Sequence, residues 1–458
     1  MTLQEYLSSI RHKTVAVIGA GISNTPLIGL LRQADIAVTV HDRKEADDLG
    51  EQYQVLADLG CTFALGETYL DALTEDIIFR TPGVHPHKPQ LDAARARGSI
   101  VTSEMELFFA VCPCPIIGIT GSDGKTTTTT LVYHFLTHAG YTCHLGGNIG
   151  NPLLPVVESI QPDHLAVVEL SSFQLMEMAY SPAVAAITNL TPNHLDYHKD
   201  FEEYVSAKTA IYLHQTRGNR LILNADDSVT KKLSLPYTST VSWCTKQEIP
   251  QNGVYLRDSM IYIAENGVSR PLMHEKEIRI PGAHNVSNVM MAAAIVQGYC
   301  KDEDILTVAK EFGGVEHRIE FVRELNGVRY YNDSIASSPT RTIAGLKAFD
   351  QKLILIAGGY DKHIPYDVLG EPICQYVKTL ILTGATAPKI RQAVCETDSA
   401  EKPVLYDAVD LQAAVQQAQQ LASAGDVVIL SPASASFDCF KNFMERGNLF
   451  KKFVHDLT

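Results

Sequence analysis

Short apolar runs that stop at glycine and pass into longer stretches of helical spacing recur along the chain. Residues 115–120 (Pro-Ile-Ile-Gly-Ile-Thr) lead into a Gly-rich turn and then Leu131-Val-Tyr-His-Phe-Leu136. This pattern predicts a strand, a tight turn and a helix. Residues 13–19 repeat it, with the turn Gly19-Ala-Gly21-Ile-Ser-Asn24 and a next strand at 36–41 that ends in Asp42. That is a Rossmann-type βαβ opening with an acid at the end of its second strand. Further apolar runs lie at 77–79, 165–170, 184–189, 352–359, 380–384 and 427–431, with another strand read at 328–332; residues 98–102 close the first region. Continuous apolar runs of this kind are the composition of buried parallel strands. With helical segments between them they predict an α/β protein. A length of 458 residues suits about three domains. We place them at 1–103, 104–314 and 315–458, with boundaries near Ser103 and at Gly313-Gly314. The expected architecture is a Rossmann-like N-terminal domain, a central P-loop-type domain with a parallel sheet, and a Rossmann-like C-terminal domain.

The turn after residue 120 reads Gly121-Ser122-Asp123-Gly124-Lys125-Thr126-Thr127. Gly121 and Gly124 let backbone N–H groups turn inward around a phosphate, and the helix start adds its positive end. Lys125 would reach β/γ-phosphates and the Thr126 hydroxyl would hold Mg²⁺. Ile119 stands where a full Gly-x4-Gly-Lys-Thr loop has its first glycine. The glycines of residues 146–150 suggest a close backbone approach to a ligand. Glu169 ends an apolar strand, where a metal-binding carboxylate would be useful. His194, Asp196 and His198 follow the strand at 184–189. Asp200 and Glu203 predict a capping box for the helix that carries Lys208. Asn285 and Asn288 precede an alanine-rich helix over 290–295; they read a base edge or cap the helix, and the cap is the simpler assignment.

A net charge of −14 argues against a nucleic-acid protein. No segment combines a basic start with an apolar core, and no apolar run is long enough for a bilayer. The expectation is a cytoplasmic protein with reduced thiols and no stable membrane insertion. Of nine cysteines, Cys112 and Cys114 form Cys-Pro-Cys in a connection, read as two free thiols rather than a metal pair.

Taken together, these motifs resemble the Mur ligases of peptidoglycan synthesis. The likeness rests on the phosphate loop, Gly147-Asn-Ile-Gly150, Glu169-Leu-Ser-Ser-Phe-Gln-Leu175, Asn193-His-Leu-Asp196, Ala207-Lys208, His284-Asn-Val-Ser-Asn288, Glu316-His-Arg318, Asn332-Asp-Ser334, Gly358-Gly-Tyr-Asp-Lys362 and the Ser431–Asp438 segment. They stand in family order over nearly the whole chain. The Glu169–Leu175 run and the Ser431–Asp438 segment are similar to the branch that adds D-glutamate.

The resemblance implies an ATP-dependent amide ligase that phosphorylates the carboxylate of UDP-MurNAc-L-Ala and lets the D-glutamate amine attack the acyl phosphate. The enzyme would serve cell-wall precursor synthesis, as a cytoplasmic monomer acting on small molecules only. Thr126 and Glu169 would hold one Mg²⁺; His194 and Lys208, the latter carbamylated by CO₂, would hold a second. Asn285, Asn288, Arg318 and Asp333 would join the loop residues in binding ATP. Ser23, Asn24, Asp42, Arg43, Thr81, Asn148 and His194 would bind the UDP substrate. Ser337, Lys362, Ser436 and Phe443 would bind D-glutamate. Three departures stand out: Ile335 replaces a lysine, Asp123 replaces an asparagine, and the turn before Lys362 is a variant. An acid at position 123 repels phosphate unless its side chain points outward. Two other readings stay open at this point: a related ligase such as folylpolyglutamate synthetase, or an NAD-dependent oxidoreductase resting on Gly19-Ala-Gly21 and Asp42.

Overall fold

The computed structural model describes residues 1–71, 73–235, 239–362 and 364–458. The chain divides into two compact units, 1–276 with 287–309, and 277–286 with 310–458. Among the described residues, three sheets carry the fold.

In the first unit, five parallel strands lie in the order Thr62–Leu65, Val38–Asp42, Val15–Ile18, Ile77–Arg80, Ile100–Thr102. Val15–Ile18 is buried on both faces, which explains its unbroken apolar sequence. Helix Asn24–Gln33 follows it after the Gly19 turn. Ser103 caps helix Glu104–Val111, its hydroxyl accepting the Glu106 N–H at 3.1 Å.

The second sheet of this unit has nine strands. Ile116–Thr120 lies inside it, between Leu165–Glu169 and Val184–Ile187, with Cys143–Gly147 at one edge. On the other side Arg220–Asn224, Thr240–Thr245 and Gly253–Arg257 continue it in parallel. Met260–Glu265 and Val268–His274 then finish it as an antiparallel meander. The expectation of a parallel central sheet therefore holds for its core and fails at this edge.

The second unit holds six strands in the order Glu320–Leu325, Val328–Asn332, Val427–Leu430, Leu353–Ala357, Val377–Leu382, Val404–Asp407. All neighbours are parallel except the first pair. Among the described residues, no helix is long and apolar enough to cross a membrane.

Two local expectations change. Helix Ala283–Ile295 begins before Asn285 and Asn288, so neither caps it; Asn285 Nδ2 instead donates to the Pro281 carbonyl at 2.6 Å. Asp200 caps helix Phe201–Leu213 through the Glu203 N–H, but the Glu203 carboxylate accepts the Lys199 N–H, so the reciprocal half of the box reaches one residue further back. Gly146 and Gly147, the last residues of the edge strand, also pack closely against neighbouring segments. A Cβ on Gly147, at φ +93°, would stand 2.2 Å from the Glu169 carbonyl, and one on Gly146 would meet Leu153 at 2.5 Å.

Candidate active site

Strand Ile116–Thr120 delivers the chain to the phosphate loop, and helix Lys125–His138 carries it away. Gly124 is the left-handed N-cap at φ +78°, where a Cβ would stand 2.3 Å from Asn288 Oδ1. The end of strand Val184–Ile187 braces the loop from beside it. Thr188 Oγ1 and Asn189 Nδ2 donate to the Asp123 carbonyl at 2.6 and 3.0 Å, and Asn189 Oδ1 accepts the Asp123 N–H at 3.0 Å. Ser122 Oγ donates to the Thr191 carbonyl at 2.9 Å and lies 2.8 Å from the Tyr204 hydroxyl. Asp123 itself is exposed, where water screens its charge.

Behind this loop the sequence-selected residues converge. Lys125 Nζ donates to the Ser122 carbonyl at 2.8 Å. Thr126 Oγ1 donates to Glu169 Oε2 at 2.7 Å, and Asn148 Nδ2 donates to Glu169 Oε1 at 2.7 Å. Glu169 is buried. Lys208, only 2% exposed, donates to the Gly121 carbonyl at 2.8 Å and to Thr120 Oγ1 at 3.2 Å. Burial, seconded by the Lys125 charge, pulls its pKa down to about 6 against the attraction of Glu169 and Asp123. At neutral pH Lys208 is therefore an uncharged amine.

His194 is exposed, in left-handed backbone at φ +54°, with its ring 4.9 Å from Phe173. Desolvation lowers its pKa, Lys125 and Lys208 add to that, and Asp196 opposes it. His198 leaves this group. It is buried, 2.9 Å from Ser172 Oγ and 3.4 Å from Glu203, stacked on Phe173.

The Gly19 turn holds the remaining residues selected for the UDP substrate. Asn24 is buried, and its Nδ2 donates to the Ile18 and Gly19 carbonyls at 2.9 and 3.0 Å. Its Oδ1 is buried without a hydrogen bond among the described residues. Asp42 accepts the Ala20 and Lys44 N–H groups, each at 2.9 Å, so both its oxygens hold the chain's own backbone. Arg43 pairs with Glu67 in the open. Ser23 precedes the helix without a side-chain cap bond. The Thr81 methyl lies 3.0 Å from where a Cβ on Gly19 would stand. Arg80, which the sequence pattern did not single out, is buried and donates to the Val84 carbonyl at 2.7 Å and the Phe173 carbonyl at 3.3 Å.

A second cluster lies in the other unit. Asp333 is buried, accepts from Ser431 Oγ at 2.7 Å and from the Ile319 N–H at 3.3 Å, and burial raises its pKa to about 7. Arg318 is half-buried nearby and its charge opposes that rise. Ser436 is buried, Ser337 and Phe443 half-buried, and Lys362 exposed with its ammonium 6.0 Å from the Phe437 ring. Their loops are tied together by Arg446, which reading by motif missed. The guanidinium donates to Ser334 Oγ and the carbonyls of Ser334, Ser434 and Ala435, at 2.9–3.1 Å. Burial lowers its pKa to about 10. The signal for it was an arginine on the buried face of helix Phe443–His455, beside Gly447 and Phe450.

A glycine loop at a helix start, backed by a carboxylate, a hydroxyl and two amines, has the chemistry that suits a nucleotide phosphate in an α/β protein. The Mur ligase middle domain model matches residues 119–296, and the model described as Mur ligase, glutamate ligase domain matches residues 317–434. A protein of Acetivibrio thermocellus named UDP-N-acetylmuramoylalanine–D-glutamate ligase is 49% identical over 461 residues, 99% of either chain. One of the same name from Clostridium kluyveri is 47% identical over 457 residues, again 99% of each. The chain belongs to the Mur ligase family. The fold is shared by MurC of Thermotoga maritima (TM-score 0.56, 17% identity, 97% of this chain and 100% of that one). It is shared too by the ADP complex of Thermotoga maritima MurF (TM-score 0.55, 17% identity, 96% and 94%).

Proposed function

We propose that this chain joins D-glutamate to UDP-N-acetylmuramoyl-L-alanine with cleavage of ATP, through an acyl phosphate, as a cytoplasmic step of cell-wall precursor synthesis. Relatives of that name, nearly half identical over their full length, support the choice of substrates. The observation that carries the chemistry is the joining of Thr126, Glu169 and the buried Lys208 amine to one phosphate loop.

A carboxylate is a poor electrophile until one oxygen becomes a leaving group. Phosphoryl transfer between two anions needs positive charge placed where the transition state spreads its negative charge. Lys125 and the start of helix Lys125–His138 supply that charge from the protein. The Thr126 hydroxyl and Glu169 carboxylate are hard oxygen donors that suit Mg²⁺, and a divalent cation there would neutralise charge on the nucleotide and the reacting carboxylate. A neutral, buried lysine amine is the form that adds to CO₂, losing one proton and becoming an N-carboxylate. Lys208 in that form would offer a second anionic donor beside His194.

The other roles follow the sequence reading. Ser23, Asn24, Asp42, Arg43, Thr81 and Asn148 would hold the UDP substrate within residues 1–103 and at the edge of 104–314. Asn285, Asn288, Arg318 and Asp333 would hold ATP. Ser337, Lys362, Ser436 and Phe443 would hold D-glutamate within 315–458. Asp42 would act through the turn it braces, and Asn24 Oδ1 in that turn has no hydrogen-bond partner among the described residues.

The test is phosphate release from ATP with UDP-N-acetylmuramoyl-L-alanine and each of D-glutamate, L-glutamate, D-aspartate and meso-diaminopimelate. We expect D-glutamate alone to support turnover. Equal rates with the other amino acids would remove the substrate assignment, and no rate with any would remove the ligase itself.

A further inference from the structure

The connection between helix Glu104–Val111 and strand Ile116–Thr120 contains Cys112-Pro-Cys114, which no step of the ligase reaction uses. The two sulfurs lie 3.6 Å apart, and Cys112 Sγ is also 3.7 Å from the Cys114 carbonyl. We propose that this pair is a thiol–disulfide exchange site for small-molecule disulfides, with Cys112 the attacking thiol and Cys114 the resolving one.

The order of attack follows from burial. Cys114 is 6% exposed and lies in the apolar core with Ile116, whereas Cys112 is only half-buried. An incoming disulfide meets Cys112 first. Cys112 ends the helix, its N–H bonded to the Phe108 carbonyl, and takes the extended backbone (φ −65°, ψ 121°) that a following proline requires. Both sulfurs are thus held by short, fixed backbone. A disulfide bond is about 2.05 Å long, so about 1.5 Å of approach closes it. The hydrogen bond from Cys114 lowers the Cys112 pKa, and hydrogen bonding and burial raise that of Cys114. The thiolate is the nucleophile.

Two other uses fit worse. A bridge across one intervening residue closes almost no loop, so it would restrict the unfolded chain little and serve poorly as a staple. A structural zinc site needs four ligands, and among the described residues no group of three or more His, Cys, Asp or Glu side chains is placed to hold a metal.

The exchange balances without a further reactant. Cys112 thiolate displaces one thiolate from the small-molecule disulfide and forms a mixed disulfide. Cys114, deprotonated, attacks Cys112 Sγ, forms the protein disulfide and releases the second thiolate. Two protein thiols are oxidised, and one disulfide is reduced to two thiols that take up the two protons.

The full-length protein incubated with oxidised glutathione at pH 8, acid-quenched, alkylated and digested with trypsin tests this by mass spectrometry. The peptide of residues 98–125 contains only these two cysteines. The wild type is expected to give this peptide with an internal disulfide that dithiothreitol reverses. Cys114→Ser is expected to accumulate glutathione on Cys112, and Cys112→Ser to modify Cys114 at least about tenfold more slowly. A stable glutathione adduct in the wild type without the internal bond would overturn the proposal. So would Cys114 reacting as fast as Cys112, or a peptide left unmodified while exposed Cys395 and Cys439 react.

Discussion

Glu104 opens helix Glu104–Val111 and is 5% exposed, with Oε1 lacking a hydrogen bond among the described residues. Burial raises its pKa to about 7 from an ordinary 4.5. Between those two values the folded protein keeps a proton that the unfolded chain releases, so stability falls as pH rises. The interval is about 2.5 pH units at about 1.36 kcal/mol each, or about 3 kcal/mol, fully lost above pH 7. Glu104→Gln keeps the shape and does not titrate. The variant should therefore gain on the wild type by about 3 kcal/mol between pH 4.5 and pH 8, whatever its fixed offset. Urea unfolding followed by Trp243, the chain's one tryptophan, reads this in the same unit. A gap between the two proteins that stays constant to within about 0.5 kcal/mol across that range would refute the buried-carboxyl reasoning.

Other changes have equally direct readouts. Lys125→Ala should lower kcat by at least about 10²-fold in the phosphate-release assay; near-normal turnover would remove the phosphate-loop assignment. Lys208→Ala should be inactive and partly rescued by added formate or acetate, because a small carboxylate can occupy the place of the proposed N-carboxylate; failure of rescue with unaltered Mg²⁺ dependence would leave Lys208 a structural amine. His41, buried like Glu75, places its ring nitrogens 2.6 Å from the Tyr69 carbonyl and 3.2 Å from Glu75 Oε1. Despite burial, which acts to raise it, bonds from His41 and backbone N–H groups hold the Glu75 pKa at about 2. Glu75→Gln should cost about 3–5 kcal/mol near neutral pH, and the wild type should lose this contribution only as pH falls from 4.5 toward 2; an unchanged calorimetric melt at pH 7 would contradict the pair.

Parallel strands such as Val15–Ile18 and Leu165–Glu169 were legible because burial on both faces demands unbroken apolar sequence, whereas Thr62–Leu65, Arg220–Asn224 and Thr240–Thr245 were not singled out. The meander over 253–274 was not: Met260–Glu265 is apolar over five residues yet buried largely on one face, and most of Val268–His274 is exposed. Candidate site residues that the structure brings together were legible where a strand ends in a turn, as with Lys125, Thr126 and Glu169. What those groups hold in the folded chain was less so. Asp42 looks like a ribose ligand by position, yet its oxygens take two backbone N–H groups. His194 and His198 are four residues apart, but one turn exposes the first and buries the second against Ser172. The burial of Lys208 did have a signal. Tyr204, Ala207, Lys208 and Ile211 share the buried face of helix Phe201–Leu213 at helical spacing, and a lysine on such a stripe predicts a desolvated amine.

That amine shapes the electrostatics of the whole loop. Lys125 and Lys208 donate to adjacent carbonyls, of Ser122 and Gly121. Two ammonium groups there would repel each other, and the buried one yields its proton. The loop therefore carries one lysine charge beside Glu169. Converting Lys208 to an N-carboxylate would add a negative charge at a position that was neutral, and with Glu169 this outweighs Lys125. The same loop would then pass from a site for anionic phosphate alone to one that also attracts a divalent cation. On this reasoning Mg²⁺ affinity should rise with dissolved CO₂ in the wild type and be indifferent to it in Lys208→Ala.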